Sequence, residues 1–402
     1  MNILFLCNKS PWPAHEGGPM AMNSLISSLA DAGHHVKVLA VVSDKFMVKP
    51  EEVPESFRKK TSIEFVYIDL SIKPLDAFIN LFTRNSYHVQ RFISDAFRDK
   101  LIDVLSHNTF DIIQLETLFM TPYVPVIRQH SQGRIVLRSH NIEHLIWKRM
   151  SQVSRNPLKR FYLKHLSSTL RRYETRSTSL YDGIAAITRK DAAFFRSLTT
   201  TAVVDIPFGI NQDDFQVIEK EVEWPGLFHI GSMNWMPNEE GIKWFLDQVW
   251  PLVQQNHPEV TITLAGRFMP DWLKTGYKEN VVVIGEVESA REFVQAHSIA
   301  IVPLLSGSGI RIKIIEAMAQ GRTVITTQVG AEGINYSDHH NILIANTPTA
   351  FAQAISDCIA NKEMTLSIGR AARELIEEHY DNRKIVKRLV VFYQELLQQP
   401  VV

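Results

Sequence analysis

Short apolar runs rich in β-branched residues alternate along this chain with longer stretches in which apolar residues recur at helical spacing. In the first half, these runs predict strands at 3–7, 35–42, 64–70, 111–116, 134–140, 183–188 and 202–207. In the second half, they predict strands at 226–232, 260–266, 281–287, 299–305, 323–327 and 342–345. Continuous apolar strands that alternate with helices are typical of parallel sheets with helices on both faces. We therefore expect an α/β protein with two Rossmann-like domains in tandem.

The pattern also predicts where the domains meet. Long helices are expected between and after the strands, among them 20–32, 238–255 and 379–399. The segment 207–226 mixes turn residues with charges and lacks periodicity, so it is predicted to link the two halves. The predicted limits are therefore 1–206 for the N-terminal domain, 207–380 for the C-terminal domain, and 381–402 for a helix that packs back on the N-terminal domain.

Composition narrows the function without identifying it. The 402 residues carry 43 Lys plus Arg and 43 Asp plus Glu, so no net charge favours nucleic acid as a partner. The chain has two cysteines, Cys7 and Cys358, which supports neither a disulfide framework nor a metal cluster and fits a reducing compartment. The apolar run at the start is shorter than a signal peptide requires, so a cytoplasmic location is expected.

The segment 306–321, SGSGIRIKIIEAMAQG, combines features that suit a phosphate group. Its glycines allow backbone N–H groups to approach an anion, and the helix formers that follow place the loop at a helix N-terminus, whose partial positive charge favours anions. A plain turn is the alternative for such a loop taken alone. The predicted contacts to a nucleoside diphosphate are the backbone of Gly307, Ser308, Gly309 and Ile310, the cations of Arg311 and Lys313, and Glu316, whose carboxylate can accept hydrogen bonds from ribose hydroxyls.

Further candidates follow other predicted strands, because the carboxyl ends of parallel strands meet at the edge where such sheets bind ligands. A loop with Gly17 and Gly18 follows the first strand, and their missing Cβ atoms would let it approach a phosphate or a sugar. Glu116 and His140 each end a predicted strand and are candidates for the same edge. The alternative for Glu116 is a solvated carboxylate at a strand end, and the alternative for His140 is a cap of the next helix. The candidates for donor contacts in the second half are Ser232, Asn234 and Glu332, of which Glu332 could instead cap a turn.

Taken together, these motifs resemble the retaining GT-B glycosyltransferases of family four, or glycosyl transferases group 1. The likeness is carried by PWPAHEGGPM with AGHHVKVLA, by IPFGIN, where Phe208 replaces the usual Asn, and by PLLSGSGIRIKIIEAMAQGRTVITTQVGAEG. It spans essentially the whole chain. The resemblance implies two Rossmann-like domains facing across a cleft, and a hexosyltransferase of polysaccharide biosynthesis. The donor would be a UDP-, GDP- or dTDP-linked sugar, and the acceptor a glycan, a lipid-linked sugar or a small molecule.

The departures from the family pattern concern charge. Ser308 stands where the family often has the first of two glutamates, and Ser232 and Glu240 stand near positions of a family Arg and Lys. We infer that Arg311 and Lys313 now supply the positive charge, which leaves no need for a metal cofactor. The resemblance further implies that His140 lies near the transferred sugar, and Glu116 is assigned to binding or activating the acceptor.

Two other functions remain open at this stage. A catalytically idle nucleotide-sugar binding module is favoured by the missing first glutamate, and a sugar-nucleotide epimerase shares the GT-B fold. The basic helix predicted over 155–176 carries Phe161, Leu163, Leu166 and Leu170. Such a helix is typical either of a solvated face or of contact with an anionic membrane, here the inner face of the cytoplasmic membrane.

Overall fold

The computed structural model describes residues 1–14, 17–154, 156–215, 222–274, 278–307 and 309–399. Its contacts divide the chain into two compact units. The first unit is Met1–Gly209 together with Asn382–Val402, and the second is Ile210–Asp381. Each unit is built on one parallel sheet, so the predicted pair of parallel-sheet α/β domains is confirmed.

The sheet of the first unit has the strand order β3-β2-β1-β4-β5-β6-β7, with every neighbouring pair parallel. Its strands are β1 (Asn2–Cys7), β2 (His35–Val42), β3 (Glu64–Tyr67), β4 (Ile112–Glu116), β5 (Arg134–Ser139), β6 (Gly183–Ala186) and β7 (Ala202–Asp205). Its helices up to the linker are α1 (Gly17–Asp31), α2 (Glu55–Thr61), α3 (Pro74–Asn80), α4 (Tyr87–Gln90), α5 (Asp95–His107), α6 (Val124–His130), α7 (Glu143–Val153), α8 (Pro157–Ser177) and α9 (Arg189–Arg196).

The sheet of the second unit repeats this topology in the order β10-β9-β8-β11-β12-β13. Its strands are β8 (Leu227–Ile230), β9 (Ile262–Ala265), β10 (Val281–Gly285), β11 (Ile299–Val302), β12 (Thr323–Thr326) and β13 (Leu343–Ile344). Its helices are α10 (Met236–Trp244), α11 (Trp250–Asn256), α12 (Asp271–Lys274), α13 (Ala290–Ala296), α14 (Ile312–Ala319), α15 (Pro348–Ala360) and α16 (Lys362–His379). Each predicted apolar run therefore contains an observed strand.

The last helix, α17 (Asn382–Gln398), belongs to the first unit. Its apolar stripe packs into the same core as β1 and α1, and the stripe includes Ile385, Leu389 and Leu396, all essentially inaccessible. An apolar face of this kind cannot remain in water without a large loss of hydrophobic stabilisation. The C-terminal segment is therefore part of the core of the first unit.

Three helix predictions need correction. α1 begins at Gly17, so Gly17 and Gly18 form its first turn and not a loop. The predicted helix 238–255 is split into α10, a π-helical turn and α11, and Pro251, which cannot donate a backbone hydrogen bond, lies in the first turn of α11. The predicted helix 379–399 is also divided, because α16 ends at His379 before α17 begins.

Candidate active site

The glycine loop of the second unit follows β11. In the sheet, β11 lies beside β8, although β9 and β10 come between them along the chain. β8 lies between β9 and β11, so the chain leaves β8 toward one side of the sheet and leaves β11 toward the other. At such a switch point the loops after the two strands border one crevice, which is the usual ligand site of open α/β sheets. The loop after β8 contains Ser232 and Asn234, and the loop after β11 contains Gly307 and Gly309.

The loop after β11 is anchored to α10. Ser306 Oγ donates a hydrogen bond of 2.8 Å to Glu240 Oε2. Gly307 has φ +110°, and a Cβ there would lie 2.9 Å from Arg311 Nη2 and 3.2 Å from the Trp235 ring. A side chain at residue 307 would therefore be strained and would also displace the guanidinium, so glycine fits this position for two reasons.

Arg311 is the N-cap residue of α14, and it is 5% exposed. Its guanidinium carbon lies 5.6 Å from the centre of the Trp235 ring, and it donates a hydrogen bond to the carbonyl oxygen of Gly309. Arg311 makes no side-chain capping bond, and the first turn of α14 contains no acidic residue. The positive end of the helix dipole and a buried cation thus lie together.

Lys313 lies in the first turn of the same helix and reaches back to α10. Its Nζ donates to Asn238 Oδ1 at 2.8 Å, and Asn238 Nδ2 donates to the carbonyl oxygen of Ser232 at 2.8 Å. Burial, and then the neighbouring Arg311, lower the pKa of Lys313 to about 7. A Cβ on Gly231 would lie 2.6 Å from Lys313 Nζ, so glycine at 231 leaves room for the ammonium group.

Two further titratable groups of this unit, Glu316 and His229, have shifted pKa values. Burial raises the pKa of Glu316, which is partly exposed on α14, to about 7. His229 is buried at 1% exposure, with Nδ1 2.7 Å from the carbonyl oxygen of Ile301, and no hydrogen-bond partner lies within reach of its Nε2 in the described part of the chain. Burial, and then Lys313, lower the pKa of His229 well below its usual value. The sequence analysis missed His229 and Asn238, since each is far in sequence from the groups it faces.

The other predicted donor contacts of this unit have fewer contacts that bear on a ligand site. Ser232 Oγ donates to Asn234 Oδ1 at 2.8 Å, and Asn234 is exposed. Gly309 and Ile310 are partly exposed, whereas Ser308 lies outside the described residues. Glu332 is partly buried in the turn after β12. These positions remain predictions as ligand contacts.

In the first unit, Glu116 and His140 meet at the carboxyl ends of the neighbouring strands β4 and β5. His140 Nε2 lies 2.6 Å from Glu116 Oε2, although the two residues end different strands. Arg138 Nη1 lies 3.5 Å from the same carboxylate oxygen, and Gln114 Nε2 donates to Glu116 Oε1 at 2.6 Å. Burial favours a higher pKa for Glu116, but Arg138 and the hydrogen bonds from His140 and Gln114 together hold this pKa below its usual value.

Glu116 is therefore a buried, ionised group with 0% exposure, and not a solvated strand end. A fully buried tyrosine of α17 extends its network, because Tyr393 Oη donates a hydrogen bond to Gln114 Oε1. Arg138 in turn donates to the carbonyl oxygen of Ala21 in α1 at 3.3 Å. The sequence analysis identified Glu116 and His140 but missed the three groups that hold them, since only the folded sheet brings these side chains together.

The N-terminal glycines lie beside a cation that was not predicted. A Cβ on Gly18 would lie 3.0 Å from Lys9 Nζ, so the ammonium group of Lys9 is adjacent to the first turn of α1. Gly17 is exposed and Gly18 is partly exposed. Both glycines remain predicted contacts for a phosphate or a sugar.

Most of the basic segment 155–176 forms the helix α8, as predicted, but its apolar side chains are mostly buried. Within α8, Leu163, Leu166 and Leu170 are buried against neighbouring helices, so three of the four apolar side chains considered for membrane contact belong to the protein interior. Phe161 remains exposed, and Arg155 lies outside the described residues. Among the described residues, His, Cys, Asp and Glu nowhere form a group of three or more that could hold a metal ion.

Comparisons with known proteins show which proteins this chain is similar to. Residues 225–361 match the sequence profile of the family described as glycosyl transferases group 1. An uncharacterised 44.6 kDa protein of the cps region of Klebsiella pneumoniae is 23% identical, over 95% of this chain and 97% of that protein. The fold is similar to sucrose-phosphate synthase from Thermosynechococcus elongatus, with a TM-score of 0.72 at 16% identity over 98% of this chain and 99% of that one. It is also similar to Anabaena HepE in complex with UDP, with a TM-score of 0.67 at 12% identity over 98% of this chain and 100% of that one.

Proposed function

We propose that this chain is a group 1 glycosyltransferase of the GT-B fold, and that it transfers a sugar from a nucleoside-diphosphate sugar with retention of anomeric configuration. The proposed acceptor is a glycan, a lipid-linked sugar or a small molecule, and no divalent metal takes part. One observation carries the proposal: the N-terminus of α14 has no side-chain cap from its own N-cap residue and lies beside two cations, Arg311 and Lys313. The similarity in fold to HepE, which was solved in complex with UDP, supports a nucleotide as the ligand.

Sugar transfer requires positive charge near the phosphates of the donor, which we place at the N-terminus of α14. Breaking the bond between the anomeric carbon and the β-phosphate leaves negative charge on the departing nucleoside diphosphate, and groups aimed at that charge stabilise the transition state more than the ground state. Arg311 is buried and held by Trp235 and Gly309, so its orientation is fixed before the donor binds. Lys313 is held by Asn238 in the same way. Two cations and a helix N-terminus match a pyrophosphate that carries about two charges, and this balance supports transfer without a metal.

On the acceptor side, we assign the contact with sugar to His140. Its exposed fraction of 12% lets it reach a ligand, whereas Glu116 at 0% cannot. Glu116 fixes the orientation of the imidazole, because one ring nitrogen of His140 is 2.6 Å from its carboxylate. Glu116 thus acts through His140 and not as the base that activates the acceptor.

Calorimetry with UDP, GDP and dTDP and with the matching nucleosides tests the donor site. Arg311→Ala and Lys313→Ala are each expected to weaken diphosphate binding on the order of 10- to 100-fold, and to change nucleoside binding little, because each removes a charged hydrogen bond. Arg370→Ala, which removes an exposed cation elsewhere in the second unit, is the matched control. Equal losses for diphosphate and nucleoside would argue against phosphate contact.

Glu316 has its own test with the same method. Glu316→Gln is expected to weaken ribonucleosides more than 2′-deoxyribonucleosides, because the carboxylate would accept from ribose hydroxyls. Equal losses for the two would remove Glu316 from the donor site.

Turnover experiments test the remaining parts of the proposal. The anomeric configuration of the product, read by nuclear magnetic resonance, should equal that of the donor, and activity should survive a chelator. The idle binding module is the competing function, favoured by Ser308 at the place of the family's first glutamate. Tight nucleotide binding without turnover across a broad acceptor set would favour that module.

A further inference from the structure

The helix α3 of the first unit presents its apolar side to solvent. Ala77 and Asn80 face the protein, whereas Leu75, Phe78, Ile79 and, just beyond the helix, Phe82 are 51–79% exposed. The rings of Phe78 and Phe82 are in edge-to-face contact at 5.4 Å, so the exposed groups form a continuous surface. An amphipathic helix normally buries such a stripe, and a contiguous exposed stripe indicates a binding surface.

The helix α8 packs beside α3. His165 Nε2 lies 3.1 Å from the carbonyl oxygen of Asn80, which joins α8 to the end of α3. Leu158 and Phe161 lie seven and four residues before His165, on the same side of α8, and they are 81% and 66% exposed. We call the side chains of Leu75, Phe78, Ile79, Phe82, Leu158 and Phe161 the apolar patch.

Positive charge borders the α8 side of the apolar patch. Exposed cations close to it in sequence are Lys73, Arg84, Lys159, Arg160 and Lys164. The only acid of α8 is Glu174, which is buried at 2% exposure. Near α3 the charges are mixed, since Asp76 is exposed and Lys73 lies 3.4 Å from Asp69. Because the whole chain has equal numbers of acids and bases, the positive charge on α8 is a local feature.

We propose that the apolar patch inserts into the headgroup region of an anionic bilayer, with the cations of α8 against lipid phosphates. Aromatic and aliphatic side chains rimmed by Lys and Arg are the combination that binds such surfaces, through buried apolar area and electrostatic attraction together. A second copy of the chain fits less well, because a two-fold interface would bring the same cations of both copies together. The described helices include none that is long and apolar enough to cross a bilayer. The proposal does not rest on the donor site, which lies in the other unit.

Vesicle flotation with the full chain tests this surface. Vesicles of phosphatidylcholine alone are compared with vesicles containing about one third phosphatidylglycerol, at low and at high salt. The chain is expected to float with the anionic vesicles at low salt and to be released by salt, because the attraction of each cation is screened. Both the F78S/F82S and the K159E/K164E variants should lower the bound fraction about tenfold or more.

Control variants separate a specific effect of the apolar patch from a general effect of losing an exposed aromatic group or of changing the net charge. Phe268→Ser removes an aromatic group of similar exposure in the second unit, and K362E/K387E makes the same change in net charge elsewhere; both should float like the unaltered chain. Circular dichroism spectra and thermal unfolding curves equal to those of the unaltered chain show that the patch variants are folded. Flotation that is equal on both vesicle types, or unaffected by the patch variants, overturns the proposal. A dimer in light scattering that F78S/F82S converts to a monomer also overturns it, since a second copy would then cover the patch.

Discussion

Lys313 should make nucleotide-sugar affinity depend on pH near neutrality. Its pKa is lowered to about 7 in the free protein, by burial and then by Arg311, so it is charged below that pH and neutral above it. A bound pyrophosphate favours the charged form, and binding should therefore weaken as pH rises. From about pH 6 to about pH 8 the charged fraction falls from about 90% to about 10%, which raises the dissociation constant about tenfold, or about 1.4 kcal/mol.

Calorimetry measures both the affinity for the nucleotide sugar and the number of protons that the protein takes up when the ligand binds. The ligand should be an intact nucleotide sugar, whose two phosphates are diesters and do not titrate near neutral pH. Repeating the titration in buffers of different ionisation enthalpy gives the proton count. In the Glu316→Gln variant, which removes the other group with a pKa of about 7, each binding event should take up about 0.9 proton at pH 8 and about 0.1 at pH 6.

Two variants assign the effect to Lys313. Lys313→Arg keeps a charge at all these values of pH and should lose the pH dependence. Glu316→Gln should retain it, although burial also places the pKa of Glu316 at about 7. Affinity that rises with pH, or an unchanged pH profile in Lys313→Arg, would refute the reasoning.

Three further substitutions have defined outcomes. Gly231→Ala places a Cβ 2.6 Å from Lys313 Nζ and should weaken nucleoside diphosphate binding in calorimetry, with a far smaller effect on nucleosides. His140→Ala should lower turnover in donor assays by about 10²- to 10³-fold while donor affinity changes little, if it contacts the transferred sugar or the acceptor. Tyr393→Phe leaves the Gln114 oxygen without its buried donor and should lower the free energy of unfolding by about 1–3 kcal/mol in urea titrations.

Each of these has an outcome that contradicts it. Normal diphosphate affinity in Gly231→Ala would mean that the ammonium does not hold phosphate. Unchanged turnover in His140→Ala would return this residue to a structural role. For Tyr393→Phe the control is Tyr67→Phe, whose ring is 46% exposed, and equal unfolding curves for the two variants would show that the buried bond contributes nothing.

The strands were predictable because their signal is local. Buried parallel strands need an unbroken run of apolar residues, and such runs stand out between polar stretches. Helix limits depended on finer features. α1 begins at Gly17 although glycine is unfavourable in helices, and the apolar spacing continues across the π-helical turn before α11, so neither feature could be predicted. The apolar stripe of α8 was recognised, but its partner was not, because spacing tells which side of a helix is apolar and not what covers it.

The sequence by itself determined that this chain forms two parallel α/β sheets, and that a glycine loop with two cations precedes a helix in the second. Only the tertiary structure decided which side chains meet there. Lys313 reaches Asn238 across 75 positions, His140 reaches Glu116 across 24, and Tyr393 reaches Gln114 across 279. The physical reason is that periodicity and helix formation act over a few residues, whereas charge, burial and hydrogen bonding act between groups that become neighbours only when the sheets assemble.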